Sequence, residues 1–364
     1  MHEIIFTGVI QLDSYEFIRI MFVFLTLLAL LFAFILGFAL YKRRVAKKKK
    51  NWQEKIATMI SQAIFATEEE DKLGGITKDV EKLLHNSTFR QYVIDELIHA
   101  KKNLSGSSTT NLKKFYEALE LNNDSFKKLN NAKWHIKAKG IQELAIMEQI
   151  KYVKEIFRLT NNENELVRNE AQGALVNFYG FPGLRFLNVT VHPISQWQQI
   201  QLLNKLSSAK PQKIDAIKKW LQSPNESVII FSLKLATFYH CFAVYDTVVN
   251  CLQHTSMQVK FSALEYLKVM PQEDTPNFIV NNYASGNKMC KLETLDILKD
   301  IGSQKQMLFL LKQLHNSDDD IKAAAAKTLA SLHPMGAACL KTHLFADENP
   351  WKAIFLQIEN ERAA

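Results

Sequence analysis

The chain has 364 residues, 47% hydrophobic and 23% charged, which supports a sizeable core and excludes wholesale disorder. Twelve glycines and eight prolines are few for this length, which argues against all-β and glycine-looped nucleotide-binding architectures and for long helices. Four cysteines make no disulfide framework. The formal charge of +8 would suit a nucleic-acid binder if it were spread over a surface. Residues 1–41 carry a net −2 and the run KRRVAKKKK (42–50) carries seven positive charges, which leaves only +3 on the remaining 314 residues. The large part of the chain is therefore near neutral and poorly suited to polyanions.

The first element in chain order is an apolar helix. From Ile20 to Tyr41 the sequence IMFVFLTLLALLFAFILGFALY runs 22 residues without a charge, with Thr26 its one clearly polar side chain. A helix of that length spans about 33 Å, enough for a hydrocarbon core of roughly 30 Å. A cleaved signal peptide would need a basic start, a shorter apolar run and a small-residue cleavage site. Here the start is acidic, and Lys42, Arg43 and Arg44 follow directly. The reading is a single transmembrane helix over 18–41, with 1–17 as a short extracytoplasmic N-terminus. Lys42, Arg43, Arg44, Lys47, Lys48, Lys49 and Lys50 lie just beyond the span and only Arg19 at its start. The positive-inside rule then places 42–364 in the cytoplasm. The same seven side chains would meet anionic headgroups, or would only set the topology.

Residues 51–111 read as a helical linker region. Trp52, Ile56, Met59, Ile60, Ala63 and Ile64 recur on one helical face. Soft joints are expected at 67–75 and 101–111, and the pattern does not say whether the segment is a spacer or a docked module.

From 112 to 364 the chain repeats. Leu144, Leu175, Leu203, Ala236, Leu267, Leu298 and Leu329 are separated by 31, 28, 33, 31, 31 and 31 residues. A second row, Leu221, Leu252, Tyr283, Leu314 and Phe345, keeps a spacing of 31 throughout. Each unit reads as an apolar helix, a polar turn and a second helix with apolar residues at offsets 0, 4, 7, 8 and 11, as in Val259, Ala263, Tyr266, Leu267 and Met270. One pair this small cannot bury both its apolar faces, so the pairs must stack. The segments LVRNEAQGAL (166–175), QVKFSALEYL (258–267) and DIKAAAAKTL (320–329) resemble the second-helix signature of HEAT repeats. The expectation is an all-α fold: a transmembrane helix, a helical linker, then a HEAT-like or armadillo-like solenoid of about seven or eight repeats. The third unit, with Pro182 and Pro193, is degenerate, and the last, with Pro350 and Trp351, reads as an end cap. The whole layout is similar to single-pass HEAT-repeat membrane proteins of bacteria, a resemblance that implies no reaction.

In the HEAT family an aspartate in the turn commonly pairs with the basic residue six positions later. Here the basic residues Arg168, Lys260, Lys291 and Lys322 face Asn162, His254, Ser285 and Asn316, so any ladder would rest on neutral hydrogen bonds. With Lys137 they form a row that offers either a positive stripe for an acidic partner segment or the repeat's own packing and turn hydrogen bonding. Glu170, Glu265, Glu293 and Asp296 dilute such a stripe. Asp318, Asp319 and Asp320 read as a helix N-terminal cap region.

Catalytic and metal chemistry find no footing. Deoxyhypusine hydroxylase, a HEAT-like enzyme, holds two irons with paired His-Glu dipeptides, and here the one His-Glu is His2-Glu3, at the extracytoplasmic end. HEAT-like DNA glycosylases need a strongly basic groove. His240-Cys241 with Cys251 and His254 is the one cluster of metal-ligand types, and buried cysteines in a helical array are its simpler reading. No catalytic residue, metal ligand, cofactor or small-molecule substrate is assigned. The functional expectation is a non-enzymatic scaffold or adaptor that binds a protein partner at the cytoplasmic membrane face. A membrane-tethered nucleic-acid binder is the alternative, with an enzyme of unrecognised type behind it.

Overall fold

The computed structural model describes residues 14–65, 76–207 and 214–332, together with 340, 351, 357 and 360. All regular structure among them is helical. The chain forms two compact units, Met1–Asn122 and Asn123–Ala364.

In the first unit one helix, α1 (Ser14–Phe65), carries the apolar span, the basic run and the first amphipathic stretch without a break. The continuity has a local cause. Between Tyr41 and Trp52 the sequence holds mainly Lys, Arg and Ala, all good helix formers, and no Gly or Pro. At 1.5 Å per residue the helix is about 78 Å long. Every large apolar side chain from Ile18 to Tyr41 is exposed, yet from Trp52 onward Trp52, Ile56, Met59 and Ala63 are buried. That face of α1 packs with α3 (Ser87–Asn103) and α4 (Ser107–Ala118), and α2 (Lys78–Leu84) packs on α3; their buried residues include Val80, Phe89, Val93, Leu97, Leu112 and Phe115. Trp52 stands edge-on to Phe89 at 5.2 Å, and Asn111 Nδ2 donates to the Ile64 carbonyl at 3.2 Å. The stretch after the basic run is thus a docked module. Its second joint is short, residues 104–106, with Gly106 at φ 73°. The first joint, at 67–75, lies outside the described residues. Because α4 buries its apolar face in this module, the division falls after Asn122 rather than at 111.

The second unit is a stack of helix pairs. Its helices are α5 (Leu121–Leu129), which begins at the division, α6 (Trp134–Ile146), α7 (Val153–Arg158), α8 (Glu165–Tyr179), α9 (Gln196–Leu206), α10 (Ile214–Trp220), α11 (Glu226–Phe238), α12 (Tyr245–Cys251), α13 (Met257–Val269), α14 (Thr275–Asn282), α15 (Lys288–Ile301), α16 (Met307–Gln313) and α17 (Asp319–Leu332). Short first helices alternate with longer second helices, α6, α8, α9, α11, α13, α15 and α17. Six of those second helices start at a residue that recurs every 30 or 31 positions: Asn164, Ser195, Asn225, Ser256, Asn287 and Asp318. Asn164, Ser195, Asn225, Asn287 and Asp318 each accept backbone N–H bonds from the first helical turn, which satisfies donors that the helix cannot. The aspartate run at 318–320 therefore caps α17.

Eleven residues after each cap stands the deepest core position: Leu175, Leu206, Ala236, Leu267, Leu298 and Leu329, all fully buried. Leu206 takes the place that the 28- and 33-residue steps assign to Leu203, which is only half-buried. In the second row Leu221, Leu252, Tyr283 and Leu314 are buried, and Phe345 lies outside the described residues. The third unit departs from the pattern as Pro182 foretells, with a 3-10 run (Phe181–Asn188) replacing its first helix. The end cap lies largely outside the described residues, although Trp351 packs against the core.

At the start of the stack α5 and α6 touch backbone to backbone through Gly140. A Cβ there would sit 2.7 Å from both the Leu129 nitrogen and the Ser125 carbonyl oxygen. Beside it the buried Glu143 carboxylate is held by Ser125 Oγ at 2.5 Å and Lys128 Nζ at 2.6 Å. Gly140→Ala must push these helices apart. A loss of about 1–3 kcal/mol is expected, read by chemical denaturation, as for other overpacked contacts.

Candidate interaction surfaces

The residues of the basic row occupy one place in the repeat, four positions after the helix cap, yet the structure uses them differently. The Arg168 guanidinium, nine-tenths buried, donates to the carbonyls of Asn162 and Glu163, both at 2.8 Å, in its own turn. Lys260 is buried to a similar degree and donates to the carbonyl and hydroxyl of Ser285, both at 2.9 Å, in the next unit's turn. Both acceptors are neutral, as the missing turn carboxylates imply. Lys291 lies 5.7 Å from the centre of the Tyr283 ring, and Lys322 pairs locally with Asp319 at 2.7 Å. Lys137 is half-buried on α6. The equivalent positions in the third and fourth units are Gln199 and Ile229, both buried. The row is thus interrupted, and two of its five members hold turns together inside the stack.

Neighbouring units are also joined by a polar ladder. Gln198 Nε2 donates to the Asn169 carbonyl, Lys234 Nζ to Gln199 Oε1, Tyr239 OH to the Leu206 carbonyl and Thr328 Oγ1 to the Leu295 carbonyl, at 2.9–3.2 Å. Lys288 bridges to Asp318 at 2.8 Å and Asp320 at 2.5 Å in the next unit. The hydrogen bond from Lys288 holds the Asp318 carboxyl below its ordinary range. Its contribution is therefore in place above the unfolded carboxyl's pKa and is lost as pH falls through the lowered folded value.

A second row, one position further along each second helix, lies at the edge of the core. At that position stand Asn169, Ile200, Ile230, Phe261, Leu292 and Ala323, of which Ile200 is exposed and Ile230, Phe261, Leu292 and Ala323 are half-buried against the core. A turn nearer the N-terminus, Leu166 on α8, Trp197 on α9 and Met289 on α15 are exposed, Trp197 by 67%. Further along come Lys234, Glu265, Lys268 and Asp296, with Lys268 paired to Asp296 at 2.5 Å. The second helices thus present an interrupted apolar ridge, Leu166, Trp197, Ile200 and Met289, bordered by self-neutralised charge. The 31-residue period contains this ridge, but a search for core rows passes over it, because apolar residues at one period look alike until burial separates them.

The three cysteines among the described residues are core residues. Cys241, Cys251 and Cys290 are free and buried. Burial pushes the Cys251 thiol up to about 11 and raises the other two. Among the described residues no group of three or more His, Cys, Asp or Glu is placed to hold a metal ion. In α1, Lys42, Arg43, Arg44, Lys47, Lys48, Lys49 and Lys50 are all exposed, and Lys48 lies 4.8 Å from the centre of the Trp52 ring.

The stacked pairs define the second unit as an armadillo- or HEAT-like helical solenoid. No family model and no curated protein matches the chain. Among solved structures, an engineered protein is 15% identical with a TM-score of 0.35, covering 76% of this chain and 87% of its own. A designed armadillo-repeat protein in complex with a (KR)4 peptide is 13% identical with a TM-score of 0.24, covering 76% and 98%. Another designed armadillo-repeat protein is 14% identical with a TM-score of 0.21, covering 65% and 98%. At such scores these likenesses carry no weight, and the architecture rests on the helix pairs themselves.

Two outcomes are expected. Lys260→Met, which strips the Ser285 carbonyl of its donor, should cost about 1–3 kcal/mol in denaturant unfolding, whereas Lys322→Ala at a local surface pair should cost less than about 1 kcal/mol. Cys241, Cys251 and Cys290 should resist alkylation at neutral pH in the native protein and react once it is unfolded, as mass spectrometry of labelled peptides would record.

Proposed function

We propose that the chain is a non-enzymatic scaffold anchored in the cytoplasmic membrane by α1, with its N-terminus outside and its solenoid in the cytoplasm, where the solenoid binds a membrane-associated protein. The supporting observation is the change of environment along α1. Its most apolar 18-residue window has mean hydropathy 2.9 and none of it is buried, while the same helix is buried in a protein core from Trp52 onward. A soluble protein would have to hydrate about 24 exposed, mostly apolar residues at a cost of roughly 25 cal/mol for each Å². Lipid removes that cost, and a helix satisfies its own backbone there.

Seven cationic side chains at the cytoplasmic end fit both the topology and contact with anionic headgroups, each worth about 1 kcal/mol. The solenoid adds an extended surface of repeated composition, whose apolar ridge suits an apolar protein face and whose balanced charge suits nucleic acid poorly. The basic row contributes to that surface through Lys137, Lys291 and Lys322, while Arg168 and Lys260 support it from within. Confinement to the membrane raises the effective concentration of a partner in the same membrane, so modest contacts suffice.

Alkaline carbonate should leave the full chain in the pellet, and deletion of 1–41 should release it. Affinity capture from native membranes should recover a membrane protein whose yield falls at least about tenfold with Trp197→Asp and Ile200→Asp. Release of the full chain by carbonate would reject the anchor. Recovery of nucleic acid instead, with binding that falls steeply as salt rises, would favour the alternative.

A further inference from the structure

The first unit holds an unanswered charge pattern. An open groove of about 410 Å³ is lined by Ile76, Leu84, Ala118 and Leu119, together with the acidic residues Glu81 and Glu120. Among the described residues neither carboxylate is ion-paired. Glu120 ends α4 in a left-handed cap at φ 52°, as Glu148 and His240 end α6 and α11 at 52° and 50°. The groove's level along α1 is set by contacts. Phe89 and Tyr92 lie against Trp52, at 5.2 and 6.3 Å between ring centres, and Arg90 Nη2 donates to the Glu120 carbonyl at 3.0 Å. The groove is therefore near the level of Trp52, and the basic run ends two residues before Trp52 on the same unbroken helix.

The run is likewise without an ion pair among the described residues: all seven of its cations are exposed, and Lys48 makes a ring contact with Trp52. Charge complementarity thus joins two parts of one sequence that do not meet within one chain. We propose that two copies of this chain pair in the membrane, each seating the Lys47–Lys50 end of its basic run over the other's Glu81–Glu120 groove. The inference rests on the anchoring proposed above, because two copies inserted in the same direction hold run and groove at matching depth. At 1.5 Å per residue, Lys47 to Lys50 lie about 3–8 Å along the axis from Trp52, within reach of a lysine side chain. The exchange is isologous, so both contacts form at once and the assembly closes at two. In the apolar span Ala29, Ala33 and Gly37 recur every fourth residue, and among the described residues nothing lies within 4 Å of a Cβ built at Gly37, which leaves that face open for a second helix to come close.

The test uses the full chain, fluorescently labelled, in phosphatidylcholine vesicles, where no anionic lipid competes for the run. Wild type should bleach mainly in two steps, with the paired fraction falling as salt rises. Glu81→Lys with Glu120→Lys should lower pairing about tenfold, and so should Lys47→Glu, Lys48→Glu, Lys49→Glu and Lys50→Glu together, with Lys42, Arg43 and Arg44 left to hold the topology. Mixing these two reversed variants should restore pairing between them alone, which a misfolded variant could not do. Single-step bleaching of wild type, or pairing indifferent to both reversals, would overturn the inference. Carbonate extraction of the same vesicles separates the two proposals. A chain that inserts but does not pair defeats this one only, and a chain that does not insert defeats both.

Discussion

No helix pair in the stack can bury its own apolar faces, and the rest of the second unit depends on that deficit. A second helix such as α13 buries Val259, Ala263, Tyr266 and Leu267 completely, and only helices of adjoining units supply enough cover to do so. Register between units then becomes the controlling quantity. It is set by the cap residue at the start of each second helix and by the deep core residue eleven positions later. Where a unit slips, as at the third, the chain compensates with a 3-10 run and buried aromatics instead of a first helix.

The polar contacts follow from the same stacking. A turn between two buried helices leaves carbonyl groups that need donors, and in such surroundings an unsatisfied carbonyl is costly. Arg168 and Lys260 reach those carbonyls with long side chains, so their charge serves the interior. This explains why a row that looks electrostatic in the sequence contributes unevenly to the surface. It also leaves the exposed apolar side chains Leu166, Trp197, Ile200 and Met289 as a second, equally interrupted feature of the second helices.

The first unit obeys a different constraint. One helix carries both an exposed apolar span and a stretch docked in a core, because Lys, Arg and Ala between Tyr41 and Trp52 sustain helical structure without a flexible joint. The module around Trp52 is consequently carried rigidly at the end of the apolar span. Its groove and the basic run have a fixed separation along the helix, which is what allows a charge match between two copies to be specific.

Much of this was legible in the sequence. The apolar span, the basic run, the 31-residue period and the all-helical character are local or periodic properties, set by composition and spacing alone. The Asp318 cap could be read for the same reason, since caps are satisfied within one turn. Other features were settled only by packing. Leu206 displaced Leu203 because burial, not hydrophobicity, defines the core row. Residues 112–122 joined the first unit because α4 found its apolar partner in α1. The acceptors of Arg168 and Lys260 and the groove beside Glu120 depend on side chains from separate helices meeting in space. Sequence periodicity determines which face of a helix is apolar; tertiary structure decides what covers it, because that choice is made between elements distant along the chain.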